Sequence, residues 1–274
     1  MTQIRGTPMA RRTVSHQSPH TASGIDVSPR LAGRIAGWGI LAMALIAPFA
    51  EFYVRRRLVV PGDAGATATN LTAHESLFRL GIVAFLLVII LDVLVAWALY
   101  VLLKPISSSV SILMAWTRLV FATIFAVAVV DLLDAVNLVT AAPSPAAYEP
   151  AQLNAQMMTS LDAFSTGWAV ALVFFGIHLS LIGYLALKSG YLPKLVGILL
   201  VVAGIGYAAD SFILFLVPEY MATAAMFTFV GELVLALWLV IRARKVPNPA
   251  DPGTGRRSGH STSEGVKDPV PTRA

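Results

Sequence analysis

The chain has 274 residues, of which 57% are hydrophobic and only 13% charged. A soluble domain carries about 25% charged residues, so most of this surface does not meet water. There is no cysteine, which excludes disulfides, thiolate metal sites and cysteine nucleophiles, and the net charge of +5 sits in tails and short loops beside apolar runs, a pattern of membrane orientation and not of nucleic-acid binding.

Residues 1–30 are polar, with Arg5, Arg11, Arg12 and Arg30, and no apolar core precedes a cleavage site. No cleavable signal peptide is therefore expected. Residues 246–274 are rich in Pro, Gly, Ser and charge. Both tails lack the apolar content that offsets ordering entropy, and both are read as disordered and cytoplasmic.

Residues 31–245 read as one domain: an all-α, polytopic membrane helix bundle of six transmembrane helices. A bilayer core takes about 20 apolar residues of helix, and six stretches qualify: 31–54, 78–103, 110–139, 161–187, 195–217 and 221–241. Lys104-Pro105 ends the second span, residues 188–194 turn tightly between the fourth and fifth, and Arg242, Arg244 and Lys245 end the sixth. The loop at about 55–77 holds a turn signal, Val60-Pro61-Gly62-Asp63, then an Ala/Thr/Asn stretch suited to a short surface helix. It also holds Asn70-Leu71-Thr72, a glycosylation sequon common by chance. Residues 150–160 extend the fourth span outward. With the N-terminus inside, Arg34, Lys104, Lys188, Lys194 and the C-terminal basic residues lie on the cytoplasmic side, as the positive-inside rule requires. Both termini are then cytoplasmic. Arg55-Arg56-Arg57 dissents, with Glu51, Asp63 and Glu75 near enough to offset it.

The spans carry ionisable side chains, each costing about 2.5–3.5 kcal/mol at the bilayer centre on insertion scales. Such groups face the bundle interior and find partners. At about 1.5 Å per residue, Asp92, Arg118, His178 and Glu232 fall in one midplane layer about 14–17 Å from their cytoplasmic ends, with Asp210 somewhat higher. Glu51, Arg79, Asp131 and Asp134 fall in a second layer near the outer face, about 30–38 Å up on the same rise. Depth and sign predict two pairings: Asp92 with Arg118, and Arg79 with Asp131 or Asp134, which share a helix face at i,i+3 spacing. Either layer also has a plain structural reading, since polar pairs hold membrane helices together.

Other motifs yield less. One intramembrane histidine cannot make a two-histidine haem site, and the His-Glu-x-x-His zinc motif and phosphate-binding fingerprints are absent. Phe174-x-x-x-His178 and Glu75-x-x-x-Arg79 resemble fragments of glutamate-dependent intramembrane proteases, but the paired glutamates and the further membrane histidine are missing. No cofactor or metal is called for. Gly33-x-x-x-Gly37 and Gly197, Gly204 and Gly206 suit close helix packing. Trp168, Tyr184 and Tyr191 read as interface anchors. A weak repeat relates Arg34-Ile-Ala-Gly37 to Lys194-Leu-Val-Gly197, each followed by an acid, Glu51 or Asp210.

Two blocks of residues resemble domain-of-unknown-function family 4386. The first is the run from Arg57 through Asp63, Thr67 and Asn70, then Leu77-Phe78-Arg79, Leu91-Asp92 and Leu99-Tyr100 to Lys104-Pro105. The second is Phe174-Phe175-Gly176-Ile177-His178, Gly183-Tyr184-Leu185, Ser189-Gly190-Tyr191-Leu192-Pro193 and Gly204 to Ser211. The resemblance covers roughly residues 30–245 and implies a bacterial multi-pass membrane protein with no assigned activity and no catalytic residues to carry over. It directs attention to Asp63, Asn70, Arg79 and Asp92.

Three functions compete. A small-molecule or ion permease, or its accessory subunit, would use the midplane layer and would need a water-filled cavity reaching it; tight, dry packing would count against it. A sensor or assembly protein would use the polar pairs only as structure. A membrane enzyme acting on a lipid-linked substrate, the weakest of the three, would need the outer layer to converge.

Overall fold

The structure is a computed structural model and describes residues 27–140, 149–217, 225–242 and 246. The calls on the two tails fall largely outside these residues, as does the start of the sixth span at 221–224.

Among the described residues the fold is all helix. Ser28 caps α1 (Pro29–Pro48) by accepting from the Leu31 amide, with proline at the first helical position. Pro48 has no N–H to continue the ladder, and the helix widens into a π-helical segment, Phe49–Arg55, before a last turn, α2 (Arg56–Leu58). The wider turn lets residues four and five positions on both reach back to one side chain. Arg55 and Arg56 accordingly both bind Glu51, at 2.6–2.9 Å. Glu51 thus engages two of the three arginines of the dissenting cluster and cancels one of its three charges.

The long loop folds into α3 (Ala64–Ala73), capped by Asp63 through the Ala66 amide. It is the short surface helix expected from composition, with one face turned inward. Thr67 and Leu71 are fully buried, and α3 lies across one end of the bundle against α5 and α6. Thr67 accepts from the Val60 amide and donates to the Val60 carbonyl, and Asn70 donates to the Leu58 carbonyl. The Asn70 amide is thus half-buried and committed, which argues against the sequon. Asp63 and Asn70 build this cap and do not meet Arg79. Thr67→Val should cost about 1–3 kcal/mol by orphaning buried backbone groups; faster amide exchange over residues 58–73, with the long helices unchanged, is the expected readout.

The remaining helices are α4 (Glu75–Leu103), α5 (Ser108–Thr140), α6 (Pro150–Lys188), α7 (Lys194–Leu216) and α8 (Ala225–Arg242). As the sequence suggests, α6 extends outward from Pro150, with a Glu149–Gln152 capping box. Five helices are long and apolar enough to cross a bilayer: α1 with its continuation to Leu58, α4, α5, α6 and α7. Their exteriors suit lipid, with Trp38, Leu45, Ile90 and Val127 each more than half exposed.

The helices close into a ring: α1 packs on α4, α4 on α5, α5 on α6, α6 on α7, α7 on α8, and α8 on α1. Glycine sets the approach at several of these seams. At Gly37, an added Cβ would stand 3.1 Å from the Ala236 carbonyl oxygen of α8. Along α6–α7, Gly176 faces Gly204 and Gly183 faces Gly197, backbone against backbone; a Cβ at Gly183 would lie 2.6 Å from the Gly197 oxygen. Gly37 thus meets α8 while Gly197 meets α6, so the weak repeat does not extend to shared contacts. Tyr191, in the α6–α7 turn, donates to the Leu102 carbonyl at 3.2 Å.

Candidate functional site

Inside the ring, three helices deliver polar side chains to one point. Leu99, Val95 and Val88 line the inward face of α4, and Asp92 shares that face. On α5, Ser111, Met114 and Arg118 recur at helical spacing on the buried face. Arg118 is the largest side chain buried to this degree, 2% exposed, and Asp92 is also 2% exposed. Arg118 Nη2 lies 2.6 Å from Asp92 Oδ1, so the predicted pair forms.

The guanidinium has further partners. Its Nη1 lies 2.9 Å from His178 Nε2, and the other ring nitrogen, Nδ1, is 2.8 Å from the Met114 carbonyl oxygen one turn before Arg118. Met43 of α1 places its sulfur 3.8 Å from Nη2. The Phe175 ring covers the guanidinium, with Cζ 5.5 Å from its centroid, and packs edge-on against Tyr207 of α7. Glu232 of α8 is partly buried. Of the midplane layer, Asp92, Arg118 and His178 are joined by direct contacts, and α1 contributes a methionine that sequence depth alone gave no reason to choose.

Two atoms at this centre, Asp92 Oδ2 and Arg118 Nε, are buried without a hydrogen-bond partner. So are the hydroxyls of Ser111 and Ser211. Asp210, which depth placed above the layer, is buried on α7 beside Ser211. Among the described residues the expected water-filled opening to this layer is not found: Asp92 and Arg118 are each 2% exposed and His178 is 0%. Towards the α3 end, Phe85, Phe125, Phe164 and Trp168 close the ring with mutual contacts of 4.6–6.3 Å, and Arg55 lies over Phe164.

The second layer does not converge. Arg79 binds Glu75, one turn back, at 2.7 Å, and donates to Asn137 at 2.9 Å, so the predicted Arg79 pairing with Asp131 or Asp134 does not form. Asn137 is one turn beyond Asp134, and at helix ends a neutral amide serves the exposed guanidinium without desolvating a carboxylate. Asp131 is half-buried and Asp134 exposed, and neither has an ion-pair partner among the described residues. Glu51 is committed to Arg55 and Arg56. Among the described residues no group of three or more His, Asp or Glu is placed to hold a metal ion.

The model of a family described as "Domain of unknown function (DUF4386)" matches residues 35–243. The chain belongs to the DUF4386 family. An uncharacterized protein from Archaeoglobus fulgidus is 39% identical over 165 residues, covering 60% of this chain and 85% of that relative. No solved structure matches. Membership covers all six helices of the ring, so the charged centre of this DUF4386 protein lies wholly within the family's span. The family description carries no activity, and the centre must be read from its chemistry.

Proposed function

We propose that this DUF4386 protein is an ion permease, or an accessory subunit of one, working through the Asp92–Arg118–His178–Glu232 centre in a bacterial cell membrane with both termini cytoplasmic. The observation that carries this reading is the imbalance at the centre. Arg118 meets Asp92 through one carboxylate oxygen, while Asp92 Oδ2 and Arg118 Nε are buried with no hydrogen-bond partner. Buried polar atoms in a purely structural clamp are satisfied, and an uncompensated buried charge is destabilising. A site that exchanges an ion tolerates such a deficit in one of its states.

The dry packing narrows the ligand. A solute of several atoms has no space beside Asp92 and Arg118, so the small-molecule form of the reading is dropped and an ion-sized ligand is kept. The same packing favours a second reading, a polar clamp that only holds α4, α5 and α6 together.

The absence of cysteine makes the test clean. Single cysteines at Val88 and Ala96, one turn to either side of Asp92, would be treated with small charged thiol reagents from each side of the membrane. Labelling from at least one side, protected in an Asp92→Asn background, is expected of a permease that opens. Unreactive thiols at both positions from both sides would leave the clamp.

A further inference from the structure

At the α3 end of the bundle, apart from the Asp92–Arg118 centre and independent of its reading, we propose that Arg56 and Arg57 bind the headgroup phosphate of an anionic phospholipid whose acyl chains lie along α1. Charge, exposure and depth converge on these two side chains.

Glu51 is buried and takes Arg55 with both oxygens, Nε on Oε2 at 2.7 Å and Nη2 on Oε1 at 2.6 Å. Arg55 also lies over Phe164, and its side chain is only 18% exposed. It is committed within the bundle. Arg56 gives Glu51 only its Nε, at 2.9 Å, and its side chain is 60% exposed. Arg57 is exposed, lies over Tyr53, and has no ion pair among the described residues. The acids next along the chain are engaged elsewhere: Asp63 caps α3 and Glu75 holds Arg79. Three guanidinium charges less one carboxylate leave +2, carried outward by Arg56 and Arg57.

Arginines at the end of a membrane helix ordinarily reach away into water. These two fold back over rings, with Arg56 Cζ 4.9 Å from the Phe52 centroid and Arg57 Cζ 5.4 Å from that of Tyr53. Both rings are exposed, so the outside of the helix carries two guanidiniums above two aromatic faces. The rings hold the guanidinium planes and leave their N–H edges open, and such an edge matches two oxygens of a phosphate. Depth agrees. The apolar helix Pro29–Leu58 is long enough to cross a bilayer, and both arginines lie in its last turn, beyond the about 20 residues that the hydrocarbon core takes. They stand at headgroup level. Leu31, Trp38 and Leu45, seven residues apart, are exposed on one side of α1, and Phe52 continues the exposed apolar surface past Pro48. Acyl chains lying on that surface lead up to Arg56. A soluble anion meets only the charge, whereas a lipid meets both parts. Choline cancels the phosphate charge of phosphatidylcholine, so a headgroup of net negative charge is selected.

Native mass spectrometry of the full chain, released from detergent micelles containing equal amounts of phosphatidylglycerol and phosphatidylcholine, tests the site. The wild type should retain phosphatidylglycerol in preference. An arginine at a membrane surface strengthens anionic-lipid binding about fivefold, so the Arg56→Gln, Arg57→Gln double variant should weaken phosphatidylglycerol retention about 30-fold and leave phosphatidylcholine unchanged. Arg79→Gln is the control: it removes the same charge from an arginine already held by Glu75 and should leave retention unchanged. Excess inorganic phosphate should not displace the lipid. Folding is checked by monodispersity and helical circular dichroism, and either single variant, weakened about fivefold, serves if the double variant does not fold. Equal retention of the two lipids by the wild type overturns the proposal, as does a loss in Arg79→Gln as large as that in Arg56→Gln. Displacement by inorganic phosphate leaves an anion site and removes the lipid.

Discussion

Arg118→Met should strip this protein of about 3–5 kcal/mol of stability, the cost of leaving a buried counter-charge behind. Asp92 would keep its burial and lose its ion pair with Arg118, and His178 Nε2 would lose its donor. Against a total of about 5–15 kcal/mol, that is a large fraction. The Asp92→Leu, Arg118→Met double variant should recover most of it, because replacing a buried pair by apolar side chains of similar volume is often close to neutral. Thermal unfolding of both variants in detergent, followed by helical circular dichroism, measures the difference. An intramembrane polar contact contributes only about 0.6–2 kcal/mol. A single-variant loss at that lower level would mean that Arg118 is no more than an ordinary helix contact.

The second large effect is expected at the α6–α7 seam. A Cβ on Gly204 would run into the Gly176 carbonyl oxygen, the Ser180 hydroxyl and the Ser180 amide nitrogen. Backbone atoms cannot rotate away, so the two helices must separate. Overpacking of this kind costs about 1–3 kcal/mol and sometimes more, outweighing the gain of up to about 1 kcal/mol from replacing glycine in a helix. Gly204→Ala should therefore destabilise, and Gly204→Leu more so. Gly65→Ala in α3 is the control. Its Cβ would meet nothing closer than Asp63 Oδ1 at 3.6 Å, so propensity decides and the variant should be neutral or slightly more stable. A stabilising Gly204→Ala would refute the backbone contact.

Sequence by itself determined the helical spans, because hydropathy and length report directly on the cost of burying helix backbone in lipid. It also determined the midplane layer, because a fixed rise per residue turns position into depth. Asp92 and Arg118 have opposite sign at one depth on consecutive helices, and their 2.6 Å pair follows. Depth carries no rotation about the ring, however. Arg79 lay level with Asp131 and Asp134 yet faces Asn137, a difference of one helical turn. Asp63 and Asn70 drew attention as site residues through the resemblance, and their side chains cap and pin α3. Only the tertiary structure brought α8 against α1, closing the ring. It alone supplied Met43 and turned His178 into the second partner of the guanidinium. These contacts join residues between 60 and 75 positions apart, with no periodicity to link them, so they exist only once six helices have packed and excluded water from the space they share.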